Sequence, residues 1–348
     1  MQPTTEHTAI SPAQPKADAA TPVRGRLAPS PTGHMHLGNA WSFLLAWLGV
    51  RGANGTLVLR MEDIDPDRSR QHFADDLMRD LAWLGLHWDE GPDNGGPHGP
   101  YVQSQRTQHY LAAIEHLAAA GHVYPCYCTR KELRQLAGAP HVGDAGASYP
   151  GTCSNLTPQQ QQQKERAGRR PSLRLRCPQH TYTICDQILG EQQLSLSHAG
   201  GDFAIRRSDG VFAYQLAVVV DDGAMGITQV VRGNDILIST PRQLLLSTYL
   251  GLPHPNYAHV PLLLDASGER LAKRHASLTI AQLRQEGIPA SHITGFLGYL
   301  AGFIPQPQPA SPEDLIPHFS WQKLPRTDIR LSQDPANQCR TLAAPHPG

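Results

Sequence analysis

The stretch from Arg26 to Val50 reads RLAPSPTGHMHLGNAWSFLLAWLGV. A short strand-like segment runs into a loop crowded with Pro, Ser, Thr and Gly, and the loop opens directly onto a long apolar helix. No other feature constrains the chain as tightly. Pro fixes the backbone, and Gly lets it come close to a ligand. A helix start offers unpaired N–H groups and a partial positive charge, which together suit a phosphate. The commoner phosphate loops are missing: the chain contains no Gly-Lys pair for a Walker loop and no GxGxxG. The cationic side chains at such a site would be histidines.

The same alternation continues. GTLVLRMEDID is a β-rich run ending in acids, and FADDLMRDLAWLGL spaces Phe73, Leu77, Leu81 and Leu84 at helical intervals. TQHYLAAIEHLAAAGHV is a further helix closed by Gly121. Strand–helix–strand–helix order predicts an α/β fold with a parallel sheet and crossover helices. The pattern breaks from 124 to 200, where cysteines, a Gly/Ala/Pro loop and the glutamine run PQQQQQK suggest an inserted module; the run itself reads as a solvated helix or loop. It resumes at FAYQLAVVVDD, where an apolar run meeting DDG reads as a strand closed by a turn. GITQVVRGNDIL reads as a second strand, and ITGFLGYLAGF as a late helix. The expected organisation is a disordered tail over 1–22, a first α/β half over 23–123, the insertion over 124–200 and a second half over 201–260. A loop and helical region over 261–331 and a disordered tail over 332–348 complete it.

Charge is balanced, with 30 basic and 30 acidic residues among 348, so a nucleic-acid partner would have to meet a local basic face. No apolar run approaches the roughly 18 residues of a membrane span. A cytoplasmic chain with reduced thiols and no membrane contact is expected. Of its six cysteines, Cys126 and Cys128 sit in CYC, and Cys153 follows in SYPGTC. Such soft thiolates favour zinc. Three sulfurs leave a tetrahedral site one ligand short, and His141 and His122 are the conventional candidates for the fourth. Three buried thiols without metal are the alternative.

PTGHMHLGN, Pro31 to Asn39, resembles the HIGH pattern of the class I aminoacyl-tRNA synthetases, and RLAPSP before it resembles the corresponding segment of glutamyl- and glutaminyl-type enzymes. ERLAKRHAS at 269–277 resembles their KMSKS loop, with Ala272 where Ser is usual. LRMEDIDPDR, Leu59 to Arg68, and VVRGNDIL resemble further segments of the glutamate-specific members. The resemblance covers about Arg24 to Arg330. It implies a class I, Rossmann-like parallel sheet of the HUP type, with an inserted zinc-binding, acceptor-type subdomain and a short helical C-terminal region. It also implies ATP and Mg2+, with His36, Asn39 and Lys273 in the chemistry and His36, Gly38 and Lys273 on the nucleotide. Arg26, Ser30, Glu62, Tyr214 and Arg232 would hold L-glutamate, with Glu62 facing its α-ammonium and the two arginines its carboxylates.

Only about 75 residues follow Lys273, too few for the helical anticodon-reading domain of full-length glutamyl enzymes. With the C-x-C…Y-x-G-T-C arrangement, this resembles the short glutamyl-queuosine subgroup. That subgroup implies one structural Zn2+ on Cys126, Cys128, Tyr149 and Cys153. It further implies tRNA-independent glutamyl-adenylate formation and transfer to the cyclopentene-diol of queuosine, the wobble base of tRNA(Asp). A monomer is expected. A truncated glutamyl-tRNA synthetase charging a tRNA 3′ end and a non-catalytic tRNA-binding paralogue are the other readings.

Overall fold

The structure is a computed structural model that describes residues 22–129, 131–133, 149–271, 279–331 and 335–342. The opening stretch forms β1 (Arg24–Leu27), the Pro loop and α1 (Leu37–Arg51). α1 crosses β1 so closely that a Cβ on Gly25 would lie 2.4 Å from Val50 Cγ2. β2 (Thr56–Leu59) returns parallel to β1, with Arg24 opposite Thr56 and Leu27 opposite Leu59. The helices α2 (Gln71–Trp83) and α3 (Thr107–Ala119) follow, and the chain turns away from α3 at Gly121, whose φ of 77° favours glycine.

The insertion then departs from the parallel pattern. β3 (Val123–Cys126) is followed by α4 (Pro158–Arg166), which carries the glutamine run, buries no residue and is capped by Thr157. β4 (Ser172–Leu175) pairs with β3 in antiparallel fashion, and β5 (Thr181–Asp186) with β6 (Gly190–Ser195) makes a hairpin. β7 (Phe203–Arg206) completes the β3–β4–β7 sheet, so the module's antiparallel sheet extends past the expected edge at Gly200.

The second half corrects one expectation. FAYQLAVVVDD is the helix α5 (Tyr214–Ala224), and DDG lies inside it. Leu216 to Asp221 are all buried, and a short continuous apolar run has the same pattern whether it is a buried strand or a helix enclosed on all sides. The acids are there as counter-charges rather than as turn formers: Asp221 accepts from Arg106 Nε at 2.6 Å, Gln103 Nε2 at 2.8 Å and Tyr110 Oη at 2.8 Å. β8 (Gln229–Gly233), α6 (Thr240–Tyr249) and β9 (Asn256–Val260) follow, with β8 and β9 parallel. β1 lies beside β8, joined by Thr228 N–H to Arg24 O and by Arg24 N–H to Thr228 Oγ1, both at 2.8 Å.

β10 (Leu263–Leu264), α7 (Ile280–Gln285), α8 (Ala290–Leu300) and β11 (Ile329–Arg330) follow, β11 pairing with β10. Within the expected disordered tail over 332–348 the structure describes residues 335–342, and only for that stretch does it differ from the expectation. Pro335–Thr341 forms the helix α9, docked on α8, with Cys339 fully buried and Arg340 paired with Glu286. A buried thiol among polar neighbours gives no periodic signal in the sequence, and Leu342 packs against the same core. The 1–22 tail lies outside the described residues except for Pro22.

Side chains alternate across the parallel strands. Leu57, Leu59, Val231 and Ala258 enter a core built around α1, α2 and α8; Val58, Val230 and Tyr257 enter a second around α3, α5 and α6. The sheet is thus covered on both faces, as parallel sheets require. Among the described residues, no helix is long and apolar enough to cross a membrane.

Candidate active site and thiol cluster

The C-terminal ends of β1, β2 and β8 open onto a cavity of about 640 Å3. This is where open parallel sheets hold ligands, because helix starts and loops converge there. The backbone fastens the loops together: Glu62 N–H donates to Pro29 O and Arg60 N–H to Leu27 O, both at 2.9 Å. Arg26, Ser30, His36, Gly38, Asn39, Glu62, Tyr214 and Arg232 all line this cavity, although they span about 200 residues of sequence.

His36 is the N-cap of α1. Its Nδ1 accepts from Asn39 N–H, and Asn39 Oδ1 accepts from His36 N–H, each at 3.2 Å. This reciprocal capping box explains why an Asn stands three residues after the His. Burial lowers the imidazole pKa to about 4, so the ring is neutral; with Nδ1 acting as acceptor, the proton sits on Nε2. Gly38 makes room for the ring, since a Cβ there would come within 3.1 Å of it.

Lys273 lies outside the described residues, as does Ala272. The flanks of their loop do not. Arg270 and Leu271 line the cavity, and Arg270 pairs with Asp235 at 2.6 Å. On the far side, Thr279 bridges to His36, and Ile280 N–H donates to Met35 O at 2.8 Å. One flank of the late loop therefore lines the cavity and the other lies against the backbone at His36.

The charged groups of the other end are fixed. Arg60 donates to Glu62 Oε1 at 2.9 Å and to Asp222 Oδ1 at 2.7 Å, and Arg26 Nε lies 3.4 Å from the same Asp222 oxygen. Burial raises the Glu62 pKa, while Arg60 and Arg26 pull against it. Arg232 is buried over the ring of Tyr257. It donates from Nε to His259 Nε2 at 3.1 Å, from Nη1 to Gln243 Oε1 at 2.6 Å and from Nη2 to Thr240 Oγ1 at 2.8 Å. All three acceptors are uncharged, and no carboxylate pairs directly with this guanidinium among the described residues. A buried cation held by neutral groups is a ready site for an anionic ligand. Tyr214, the first residue of α5, closes the wall and is 36% exposed.

Arg60, Asp222, Asp186 and His259 were not singled out in the sequence. Arg60 could have been, because it stands two residues before Glu62 in an extended segment and so shares its face. His259 in YAHV carries no local signal.

In the insertion, Cys126, Cys128 and Cys153 bring their sulfurs within 4.8 Å of one another and could hold a metal. Cys128 and Cys153 Sγ are 3.6 Å apart, close to the spacing of about 3.8 Å that two ligands of tetrahedral zinc adopt at Zn–S distances near 2.3 Å. Tyr149 Oη lies 3.4 Å from Cys126 Sγ and 3.8 Å from Cys128 Sγ. The phenol thus lies against the three thiols, where it also accepts from Cys153 N–H at 2.9 Å. His122 is corrected as a candidate ligand: its ring stacks on Tyr249 at 3.7 Å. His141 lies outside the described residues.

A Rossmann-like parallel sheet, a capped helix start with a neutral imidazole and a late segment, Arg270–Leu271, lining the same cavity define the catalytic body of a class I aminoacyl-tRNA synthetase. The chain belongs to that family: the model of the catalytic domain of class I tRNA synthetases for E and Q matches residues 22–311, and the protein is a ligase of this class. It is 63% identical over 312 residues to the glutamyl-Q tRNA(Asp) synthetase of Nitratidesulfovibrio vulgaris, covering 90% of this chain and 96% of that one. It is 51% identical to the protein of the same name from Symbiobacterium thermophilum, covering 88% and 95%. Among solved structures, the glutamate tRNA ligase of Elizabethkingia meningosepticum in complex with its amino acid superposes with a TM-score of 0.79 at 25% identity, over 92% of this chain and 69% of that one.

Proposed function

We propose that the cavity activates L-glutamate with ATP in the absence of tRNA, and that a monomer then passes the glutamate to the cyclopentene-diol of queuosine at the wobble position of tRNA(Asp). One observation carries the first half: Arg26, Glu62, Tyr214 and Arg232 line a single cavity with His36. In this reading Arg232 and Arg26 meet the carboxylates, Glu62 the α-ammonium, and Ser30 and Tyr214 bound the site. Arginine suits the task because its planar fork offers a carboxylate two hydrogen bonds.

A carboxylate oxygen of glutamate attacks the α-phosphorus of ATP in line, the bond to the bridging oxygen of pyrophosphate breaks, and glutamyl-adenylate remains. No protein nucleophile is needed. The chain contributes positioning and charge: the α1 start with Gly38, the Nε2 proton of His36 and the ammonium of Lys273 stabilise phosphate charge as it builds, and Asn39 holds the His36 ring by the capping box. Mg2+ carried with the nucleotide would supply further positive charge to the leaving pyrophosphate. A hydroxyl of the diol then attacks the acyl carbon, and AMP leaves. The acceptor is supported by the close relatives named for it. Cys126, Cys128, Cys153 and Tyr149 would hold a structural Zn2+ that fixes the insertion.

The test is the identity of the nucleotide that carries labelled glutamate after reaction with unfractionated tRNA and ATP. Alkali-labile label on an anticodon fragment of tRNA(Asp), absent from queuosine-free tRNA, is the expected result. Label on the 3′-terminal adenosine overturns the acceptor and leaves the activation half standing.

A further inference from the structure

We propose that His259 and Asp186 are positioning residues for the amino-acid pocket, forming a carboxylate–imidazole relay that aims Arg232 at the substrate carboxylate. The inference rests on the glutamate reading of the cavity. Neither residue lines the cavity, and both are nearly or fully buried, at 2% and 0% exposure for Asp186 and His259. They are 73 residues apart, Asp186 at the end of β5 in the insertion and His259 on β9 in the parallel sheet.

The donors and acceptors run in one direction. Asp186 Oδ2 accepts from His259 Nδ1 at 2.6 Å and from His259 N–H at 3.1 Å, while Oδ1 accepts from Ile188 and Leu189 N–H at 3.0 and 2.9 Å. With Nδ1 committed to the carboxylate, Nε2 presents a lone pair, and Arg232 Nε–H donates into it. The opposite tautomer would set an N–H of His259 against the N–H of Arg232. Burial, with the neighbouring charges of Arg232 and Arg26, keeps the imidazole neutral, its pKa lowered to about 4 against the opposing pull of Asp186. Asp186 stays below its usual range despite burial, because His259 and two backbone N–H groups donate to it.

Arginine has five N–H donors. His259, Gln243 and Thr240 take three, leaving two for a ligand. The Nε–H projects in the plane of the guanidinium, away from the Cδ–Nε bond about which the group turns, so the acceptor there sets the plane of the fork. A role limited to packing would lower stability and touch both substrates alike. Aiming Arg232 touches glutamate alone.

The experiment is ATP–pyrophosphate exchange with glutamate and unfractionated tRNA present, run on the full chain and on His259→Met, His259→Gln and Asp186→Asn. His259→Met keeps bulk but offers Arg232 only a weak thioether acceptor, and its glutamate KM should rise roughly ten- to hundredfold, the worth of a hydrogen bond to a charged group, with the ATP KM unchanged. His259→Gln, whose amide oxygen can accept from Arg232, should recover most of that loss. Asp186→Asn should raise the glutamate KM severalfold, and it decides the matter should the methionine variant fail to fold. Unchanged glutamate KM in the folded variants, or parallel rises for glutamate and ATP, overturns the relay. Absence of exchange by the unaltered protein overturns the glutamate reading itself.

Discussion

The amino-acid end of the cavity and the thiol cluster of the insertion are both small sets of polar groups drawn from distant parts of the chain, but they are finished to different degrees. In the cavity the protein supplies its own counter-charges: Asp222 lies against both Arg60 and Arg26, Glu62 pairs with Arg60, and Arg232 is held by three uncharged acceptors. The site is built before a ligand arrives, which is how electrostatic preorganisation works. In the cluster three sulfurs and a phenol face one another, with Arg174 over the Tyr149 ring at 3.8 Å and with Lys164 and Arg169 beside Cys128 and Cys153. Burial and the charge of Cys126 push Cys128 up to about 12, whereas the Tyr149, Cys128 and Arg174 hydrogen bonds bring Cys126 down against its own burial. Ionisation is thus eased at Cys126 and opposed at Cys128. A divalent cation would reverse that balance, since a coordinated thiol is deprotonated outright.

The largest expected effect tests the unfinished site. The purified chain should carry one zinc, measurable by plasma mass spectrometry, and Cys153→Ser should lose it. Because binding energy at a structural zinc is folding energy, the metal-free insertion should be cut rapidly by protease within 123–206 while the α1–β8 body resists. Tyr149→Phe keeps three thiolates and should lose affinity by about tenfold to a hundredfold rather than lose the metal. A metal-free chain as protease-resistant as the unaltered protein would mean that the cluster is complete as three buried thiols, and the contrast would vanish.

The next effect tests the finished site. Arg232→Ala should raise the glutamate KM by roughly two orders of magnitude, in keeping with removal of one partner of a buried charge contact, and leave the ATP KM within a fewfold. If both substrates weaken alike, the cavity has no separate amino-acid end. Arg232→Lys should recover little, because an ammonium cannot replace a fork held at three points.

The same contrast explains what was legible beforehand. The Pro loop, the α1 cap and the cavity-lining residues stand in short motifs where turn chemistry and helix signals are local, and the structure brings them to one cavity. What balances them is not local. Asp222 reads as part of a DDG turn until α5 is seen to be a helix enclosed on every side, and Asp186 and His259 meet only because the β5–β6 hairpin docks on β9. His122 was a reasonable metal ligand by residue type, but its backbone follows α3 toward Tyr249. Residue type and spacing report which groups come to line one cavity; they do not report which groups hold them in place.

The smallest effect is acid stability, and it sharpens the comparison by separating the two sites. The neutral His36 ring has a pKa lowered to about 4 by burial, against an ordinary 6.5 in the unfolded chain. As pH falls through this window the unfolded state takes up protons that the folded state refuses, so stability is intact above about 6.5 and declines toward 4. His36 is partly exposed, which discounts its share to about 1 kcal/mol, or roughly 2 °C in Tm. His36→Asn keeps a good N-cap without the titrating ring. Its Tm should therefore fall less steeply than that of the unaltered protein between pH 6.5 and 4, and match it in slope above 7. Acid also protonates the thiolates and expels any metal, but that loss is common to both proteins and cancels in the difference. Parallel slopes throughout the window would show that the ring is not held neutral at the helix start, and with it the assignment of the proton to Nε2 would fall.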